Sequence, residues 1–364
     1  MQINQFCEIK HTMTTKTPES KQQFDVLAEI LTIEGLDPDN AYPPSNTAET
    51  LAGLTNDGTG VSGQNHKVKT ISEKLRVDGA RVTYEIDALE GTDLSTANWI
   101  QMDPGYVGIA AVYKVVSHFL AREGFAVARM GNPPRTQHGR GWLPRNLLHP
   151  DFLLAEATSA ITMHAHNKYQ AAGIDMIGHS MGFPAVSKAA RHVTKQYGSG
   201  IVNSVTGVMP AGCTDISMIQ TGKNALAMGK YEIAPNSKLL LAQLALGDKV
   251  VTPADLVKEA GFYVLRNPVR TMAEGLAVSY HCDARPGLTK LGEMGVRTAV
   301  IGSIADLLFP HDEMKEYIAQ EVDLFVSHDD PETSGHIAPF LYPQATARLI
   351  AQTLRKLQAS EIAA

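Results

Sequence analysis

The pentapeptide Gly178-His179-Ser180-Met181-Gly182 constrains this chain more than any other stretch. It follows the short apolar run Ile174-Asp175-Met176-Ile177 and precedes Phe183-Pro184-Ala185-Val186-Ser187-Lys188-Ala189-Ala190, which has the pattern of a helix. An apolar run, G-x-S-x-G and a helix in that order predict a sharp strand-to-helix turn with the serine at its tip. Such a turn holds the serine at backbone angles most residues avoid. Small residues two before and two after it let neighbouring backbone approach. Ser180 would then stand above a sheet edge as a nucleophile, and the Met181 N–H would face the same space as an oxyanion donor. His179, at the variable position of the motif, is expected to pack rather than react.

A serine nucleophile needs a base, and the base needs a group to orient it. On the fold that carries such an elbow, the acid and the histidine follow the serine in that order. Val296 to Gly302 reads as a strand and runs into Ser303-Ile304-Ala305-Asp306-Leu307-Leu308-Phe309-Pro310. Val322 to Val326 reads as the next strand, with Ser334-Gly335-His336 after it and a closing helix over 344–357. Ser180, Asp306 and His336 each fall in a loop after a predicted strand, and such loops gather at one edge of an open sheet. Asp306 ranks ahead of Asp312, Asp329 and Asp330. Asp312 is expected to begin the helix over 313–320, and the other two to lie in a solvated loop.

A second oxyanion donor usually comes from the loop after an earlier strand. Asn98 to Met102 reads as that strand, followed by Asp103-Pro104-Gly105-Tyr106-Val107-Gly108, an amphipathic helix over 110–122 and a strand over 124–130. Gly105 suits a tight turn, which assigns the second donor to the Tyr106 N–H.

On these residues the chain resembles the α/β-hydrolase-fold serine hydrolases from about Ile71 to Leu357. Pro104-Gly105-Tyr106 with Gly178-His179-Ser180-Met181-Gly182 is similar to bacterial cutinase-like polyester hydrolases, which implies Tyr106 and Met181 as oxyanion donors. The stretch Gly302 to Pro310, with Gly335-His336, resembles homoserine O-acetyltransferases. The Ser180-Met181-Gly182 elbow with a helical insertion resembles carbon–carbon bond hydrolases of ring-fission products. The departures are Pro104-Gly105 where many members carry His-Gly, Phe183 where the acetyltransferases have a second glycine, and no match to the arginines of their acceptor site.

The fold these readings imply is a mostly parallel sheet flanked by helices, with a helical cap inserted before the acid-bearing strand. Residues 71–212 and 293–364 would form the core, 213–292 the cap, and 1–70 a partly helical extension that could bridge a homodimer. Asp78-Gly79 between the β-like runs 71–77 and 81–89 signals a hairpin. Helical patterns recur in the insertion at 237–246, 253–260 and 269–279, and its Met and Leu residues are expected mostly to fill the cap's own core. His138 to Trp142 reads as a loop, and His164-Ala165-His166 as part of a helix, with no third ligand to suggest a metal.

A net charge of −6 gives no electrostatic footprint for nucleic acid, and no run reaches the length of a membrane helix. The chain opens without a basic and apolar leader, and its three cysteines are odd in number and far apart, so reduced thiols and a cytoplasmic location are expected. The reading is a carboxylesterase-like enzyme that needs no cofactor and takes a small-molecule ester. An acyltransferase, a carbon–carbon bond hydrolase and a non-catalytic hydrolase-like binding protein are the alternatives.

Overall fold

A computed structural model describes residues 67–77, 80–105, 110–130, 151–236, 283–330 and 333–362. Eight strands form one sheet: β1 (Val68–Val77), β2 (Ala80–Leu89), β3 (Asn98–Asp103), β4 (Phe125–Met130), β5 (Ile174–His179), β6 (Val202–Val208), β7 (Arg297–Ser303) and β8 (Leu324–His328). Their order is β1-β2-β4-β3-β5-β6-β7-β8. The first two strands pair antiparallel over the register Val68 to Leu89, as the hairpin signal predicts, and β2 pairs antiparallel with β4. From β4 onward every pairing is parallel.

Burial follows from this topology. Strands β4 and β5 are buried at every position, because helices cover both faces of the parallel part. Strand β1 lies at the edge and is nowhere fully buried; it carries Lys69, Glu73, Lys74 and Arg76, charges that discourage pairing with another chain. Side chains of the central strands alternate between two apolar clusters, as the two-residue period requires. Trp99 and Met176 join the cluster beneath α2 (Asp151–Tyr169), α3 (Gly182–Tyr197) and α5 (Arg285–Glu293). Ile100, Met102 and Ile177 join the one beneath α1 (Ala110–Arg122) and α7 (Pro343–Ile362). On α1 the buried residues Tyr113, Val116 and Leu120 form the inward stripe.

Strand β8 begins two residues later than the apolar run at Val322 suggests. The Asp323 carboxylate accepts from the Thr298 N–H at 2.7 Å, so a side chain takes the place of the first rung beside β7. The hairpin is tied to the parallel sheet by Asp87, which accepts from Ser117 Oγ and Arg129 Nε at 2.6 Å each.

Between β6 and β7 the described part of the insertion contains α4 (Met218–Met228), a π-helical turn Gly229–Ile233 and α5. The last of these packs against α3 and β7, within the layer that flanks the sheet. Helix α6 (His311–Ile318) follows β7, and Asp312 lies in its first turn. The expected helices at 237–246, 253–260 and 269–279, the loop 138–142, the turn 78–79, Tyr106 and nearly all of the extension 1–70 lie outside the described residues. Among those described, no helix is long and apolar enough to cross a membrane.

Candidate active site

The elbow is strained as the sequence pattern requires. Ser180 has φ 52°, a left-handed conformation that costs a residue with a side chain about 1–3 kcal/mol. Its own backbone is fully engaged: the N–H donates to Val208 O, and the carbonyl accepts from Phe183 N and Ala211 N, each at 3.1 Å. The two flanking glycines permit the turn through their missing side chains. A Cβ on Gly178 would meet Phe183 backbone at 2.4 Å, and one on Gly182 would meet the carbonyl oxygens of Asp103 and Pro104 at 2.7 Å. The G-x-S-x-G spacing is therefore a packing requirement: the start of α3 crosses immediately over β5 and under the loop leaving β3.

Ser180, His336 and Asp306 are brought into one hydrogen-bonded series. His336 Nε2 lies 3.1 Å from Ser180 Oγ, and Nδ1 lies 3.0 Å from Asp306 Oδ2. The ionised carboxylate can only accept, so Nδ1 carries the proton and Nε2 is the lone-pair nitrogen facing the serine hydroxyl. The other Asp306 oxygen accepts from Leu308 N at 2.8 Å and Phe309 N at 2.9 Å. Those two bonds fix the carboxylate plane toward the ring. The loop bearing His336 is pinned to the end of β7, where Gly335 N–H donates to Ser303 Oγ at 2.6 Å. All three residues are buried. Burial opposes charge on the His336 ring, but the charge and hydrogen bond of Asp306, with Glu232 adding to them, raise its pKa above the ordinary 6.5. By contrast the Asp312 carboxylate is fully exposed and pairs with His311 at 3.0 Å.

Met181 caps α3 and is buried, so its N–H belongs to the first turn, where intrahelical partners are lacking. The second expected donor, Tyr106, lies just past the described residues. Gly105 is described, and its N–H donates to the Tyr113 hydroxyl at 2.6 Å.

Sequence reasoning missed three features of this region. The first is the bonding of His179. Its Nε2–H donates to the His336 carbonyl at 3.0 Å, so Nδ1 is unprotonated and accepts from the Tyr113 hydroxyl at 2.8 Å. Gly105, Tyr113, His179 and the His336 backbone thus form one chain of donors and acceptors running beneath the serine. Burial, with repulsion from His336, holds the His179 ring neutral and pushes its pKa down to about 3. The second is Asp103, at the end of β3. It is buried, accepts from Gln101 Nε2 at 3.0 Å and from Thr158 Oγ1, and is pushed up to about 7 by burial against those bonds. The third is Glu232, in the π-helical turn, whose Oε1 accepts from the Ile337 N–H at 2.6 Å.

His164 and His166 lie on α2 with partners of their own: His164 Nδ1 meets the Tyr84 hydroxyl at 2.7 Å, and His166 Nδ1 donates to Ala171 O at 2.7 Å. Among the described residues, no group of three histidine, cysteine or carboxylate side chains could hold a metal ion.

No protein-family model matches the chain, and no curated protein is similar to it in sequence. Solved structures do match. A membrane phospholipase A, described as a bacterial virulence factor, is similar with a TM-score of 0.52 and 14% identity, over 93% of this chain and 96% of that one. A fungal esterase of Rhizomucor miehei is similar with a TM-score of 0.51 and 15% identity, over 90% of this chain and 100% of that one. The 2-hydroxy-6-oxo-6-phenylhexa-2,4-dienoate hydrolase of Rhodococcus sp. strain RHA1 is similar with a TM-score of 0.51 and 13% identity, over 79% and 100%. All are α/β-hydrolase-fold enzymes, and at such identities the likeness gives this chain their fold.

Proposed function

We propose that this chain, an α/β hydrolase by fold, is a serine hydrolase that cleaves small to medium carboxylic esters through an acyl-enzyme. One observation carries the reading: a strained, buried serine hydrogen-bonded to a histidine that is itself held by a buried carboxylate. In this reading Ser180 Oγ attacks the ester carbonyl while His336 Nε2 takes its proton. Asp306 holds the Nδ1–H tautomer and stabilises the imidazolium. The developing oxyanion is met by the N–H of Met181 and by that of Tyr106; the Gly105 N–H is already given to Tyr113. His336 then passes its proton to the leaving alcohol, and water repeats the sequence to release the acid.

The segment over 213–292 is read as the cap. In support, α4 and its π turn reach the two loops that carry the acid and the base: Asn224 Nδ2 donates to Leu308 O at 3.1 Å, and Glu232 accepts from Ile337. A cap over those loops would enclose the acyl group and disfavour solid polymer.

The test has two arms. A fluorophosphonate probe should label the protein and fail to label Ser180→Ala, and kcat on p-nitrophenyl esters should fall by about 10⁴- to 10⁶-fold in Ser180→Ala or His336→Ala. Retention of more than about a tenth of the activity in Ser180→Ala would sink the assignment. The second arm is a substrate panel: short p-nitrophenyl esters, a vinylogous diketone ring-fission product, a polyester film, and acetyl-CoA with and without homoserine. Best turnover on the diketone or the film, or a large homoserine-dependent release of CoA, would replace the ester reading with the corresponding chemistry.

A further inference from the structure

The π-helical turn Gly229–Ile233 places a glutamate where the hydrolase chemistry proposed above has no assigned role for one. Such turns widen a helix by one residue and are frequent at functional sites. Here the widened turn closes through Ala234 N–H to Gly229 O at 3.0 Å. The Glu232 side chain is thereby delivered into the loop that carries His336, where its Oε1 takes the Ile337 N–H at 2.6 Å.

The opposite wall is shaped for the contact. Gly335 has φ 127°, and a Cβ there would come within 2.5 Å of Glu232 Oε1. Gly335 therefore leaves room for the carboxylate, and the Ile337 N–H binds it. The second oxygen, Oε2, is buried without a hydrogen-bond partner among the described residues. A half-satisfied buried carboxylate costs stability, so a packing role alone would be served better by an apolar side chain.

We infer that Glu232 is a positioning residue for the base: it ties the inserted segment to the loop that carries His336, through the Ile337 N–H, and adds a second negative charge to the imidazolium that Asp306 holds. The inference rests on the hydrolase reading for its catalytic consequence, but the contact itself does not. Among the described residues, the titratable groups that bear on Glu232 are His336, which favours its ionised form, and Asp306, which opposes it. Burial pushes the carboxyl up to about 7, against the pull of His336 and the Ile337 N–H. In return Glu232 helps raise the pKa of His336. Each of the two thus favours the charged form of the other.

Glu232→Gln keeps an oxygen for Ile337 and removes the charge. The expected result is kcat/KM lowered about ten-fold at pH 8, with the acid limb of its pH profile displaced downward by about half a pH unit or more. A merely structural glutamate would lower the profile without moving the limb. A folded variant whose rate lies within two-fold of wild type, with a coincident limb, overturns the inference. A measurement independent of turnover is the NMR titration of the His336 ring. In wild type it should proceed in two steps; in Glu232→Gln, in one step at lower pH. A single-step wild-type titration overturns the inference even if Glu232→Gln does not fold. If wild type neither binds the fluorophosphonate nor cleaves esters, the hydrolase reading fails. The ring titration then still decides whether Glu232 and His336 are coupled.

Discussion

Replacing Tyr113 by phenylalanine removes one oxygen, so its cost is set by what that oxygen holds. The hydroxyl accepts from Gly105 N at 2.6 Å and donates to His179 Nδ1 at 2.8 Å, and the tyrosine itself is buried. No cavity larger than the oxygen is created. The loss of the Gly105 bond is worth about 0.5–1.5 kcal/mol, and a buried Nδ1 without its donor costs about 1–3 kcal/mol. The sum, roughly 1.5–4.5 kcal/mol, is a large share of the 5–15 kcal/mol typical of a folded protein. The effect should not stay local. His179 holds the His336 carbonyl through its other nitrogen at 3.0 Å. A ring freed on one side will therefore let the base drift, and a shift on the order of 1 Å costs about 10²-fold in rate. Urea denaturation of Tyr113→Phe should show the loss at an unchanged m value, and p-nitrophenyl ester turnover should fall by about 10- to 100-fold. Because the two residues share one bond, Tyr113→Phe combined with His179→Phe should cost less than the sum of the singles by about 1 kcal/mol or more. Tyr113→Phe within about 0.5 kcal/mol of wild type, or strict additivity in the cycle, would refute the idea of a continuous chain beneath the serine.

Three further outcomes are expected. Asp306→Asn should lower kcat by about 10⁴-fold on p-nitrophenyl esters, whereas Asp312→Asn, a change at a fully exposed side chain, should leave it within two-fold. Gly182→Ala drives a Cβ against two backbone carbonyls at 2.7 Å and should destabilise by about 1–3 kcal/mol in urea denaturation; Gly222→Ala, on α4 with open space around it, should not destabilise. His179, depressed from 6.5 to about 3, takes up a proton in the unfolded chain but not in the folded one between those pH values, so its share of the stability is complete above pH 6.5 and is lost as the pH falls toward 3. His179→Phe should therefore flatten the dependence of unfolding free energy on pH by about 1.4 kcal/mol per unit between pH 6 and 4, measured as urea midpoints at each pH.

What could be read from the sequence was what is local or obeys a fixed order. The elbow is contiguous: an apolar run, a turn that excludes side chains on either side of one serine, and a helix. Asp306 and His336 could be named because each follows a strand in a known order, although only the folded sheet places them 3.0 Å apart. Strand and helix positions came within two residues where burial alone sets the pattern, as at β3, β4 and α1. The start of β8 did not, because a side-chain bond from Asp323 stands in for backbone pairing, and no periodicity records that. His179 was visible as a residue, but its role depends on Tyr113 and on a carbonyl far along the chain. Glu232 left no signal at all. Lys230-Tyr231-Glu232 reads as an ordinary polar helix end, and a π turn has no sequence signature of its own. Asp103 was passed over for a similar reason, since the carboxylate ahead of Pro104-Gly105 reads as a turn residue until the fold buries it.

If Ser180, Asp306 and His336 react as proposed, their separation along the chain has a consequence for biosynthesis. His336 lies 156 positions after Ser180, and Asp306 lies 30 before His336. During translation the elbow emerges long before any base exists to activate it. Strands β3, β5 and β6 can pair without β7 and β8, and long-range parallel pairing is slow. On the proposed function, Ser180 is an ordinary alcohol until those last two strands dock. Turnover after refolding would accordingly appear as one of the last signals, later than helix content or tryptophan burial, and would report completion of the whole sheet.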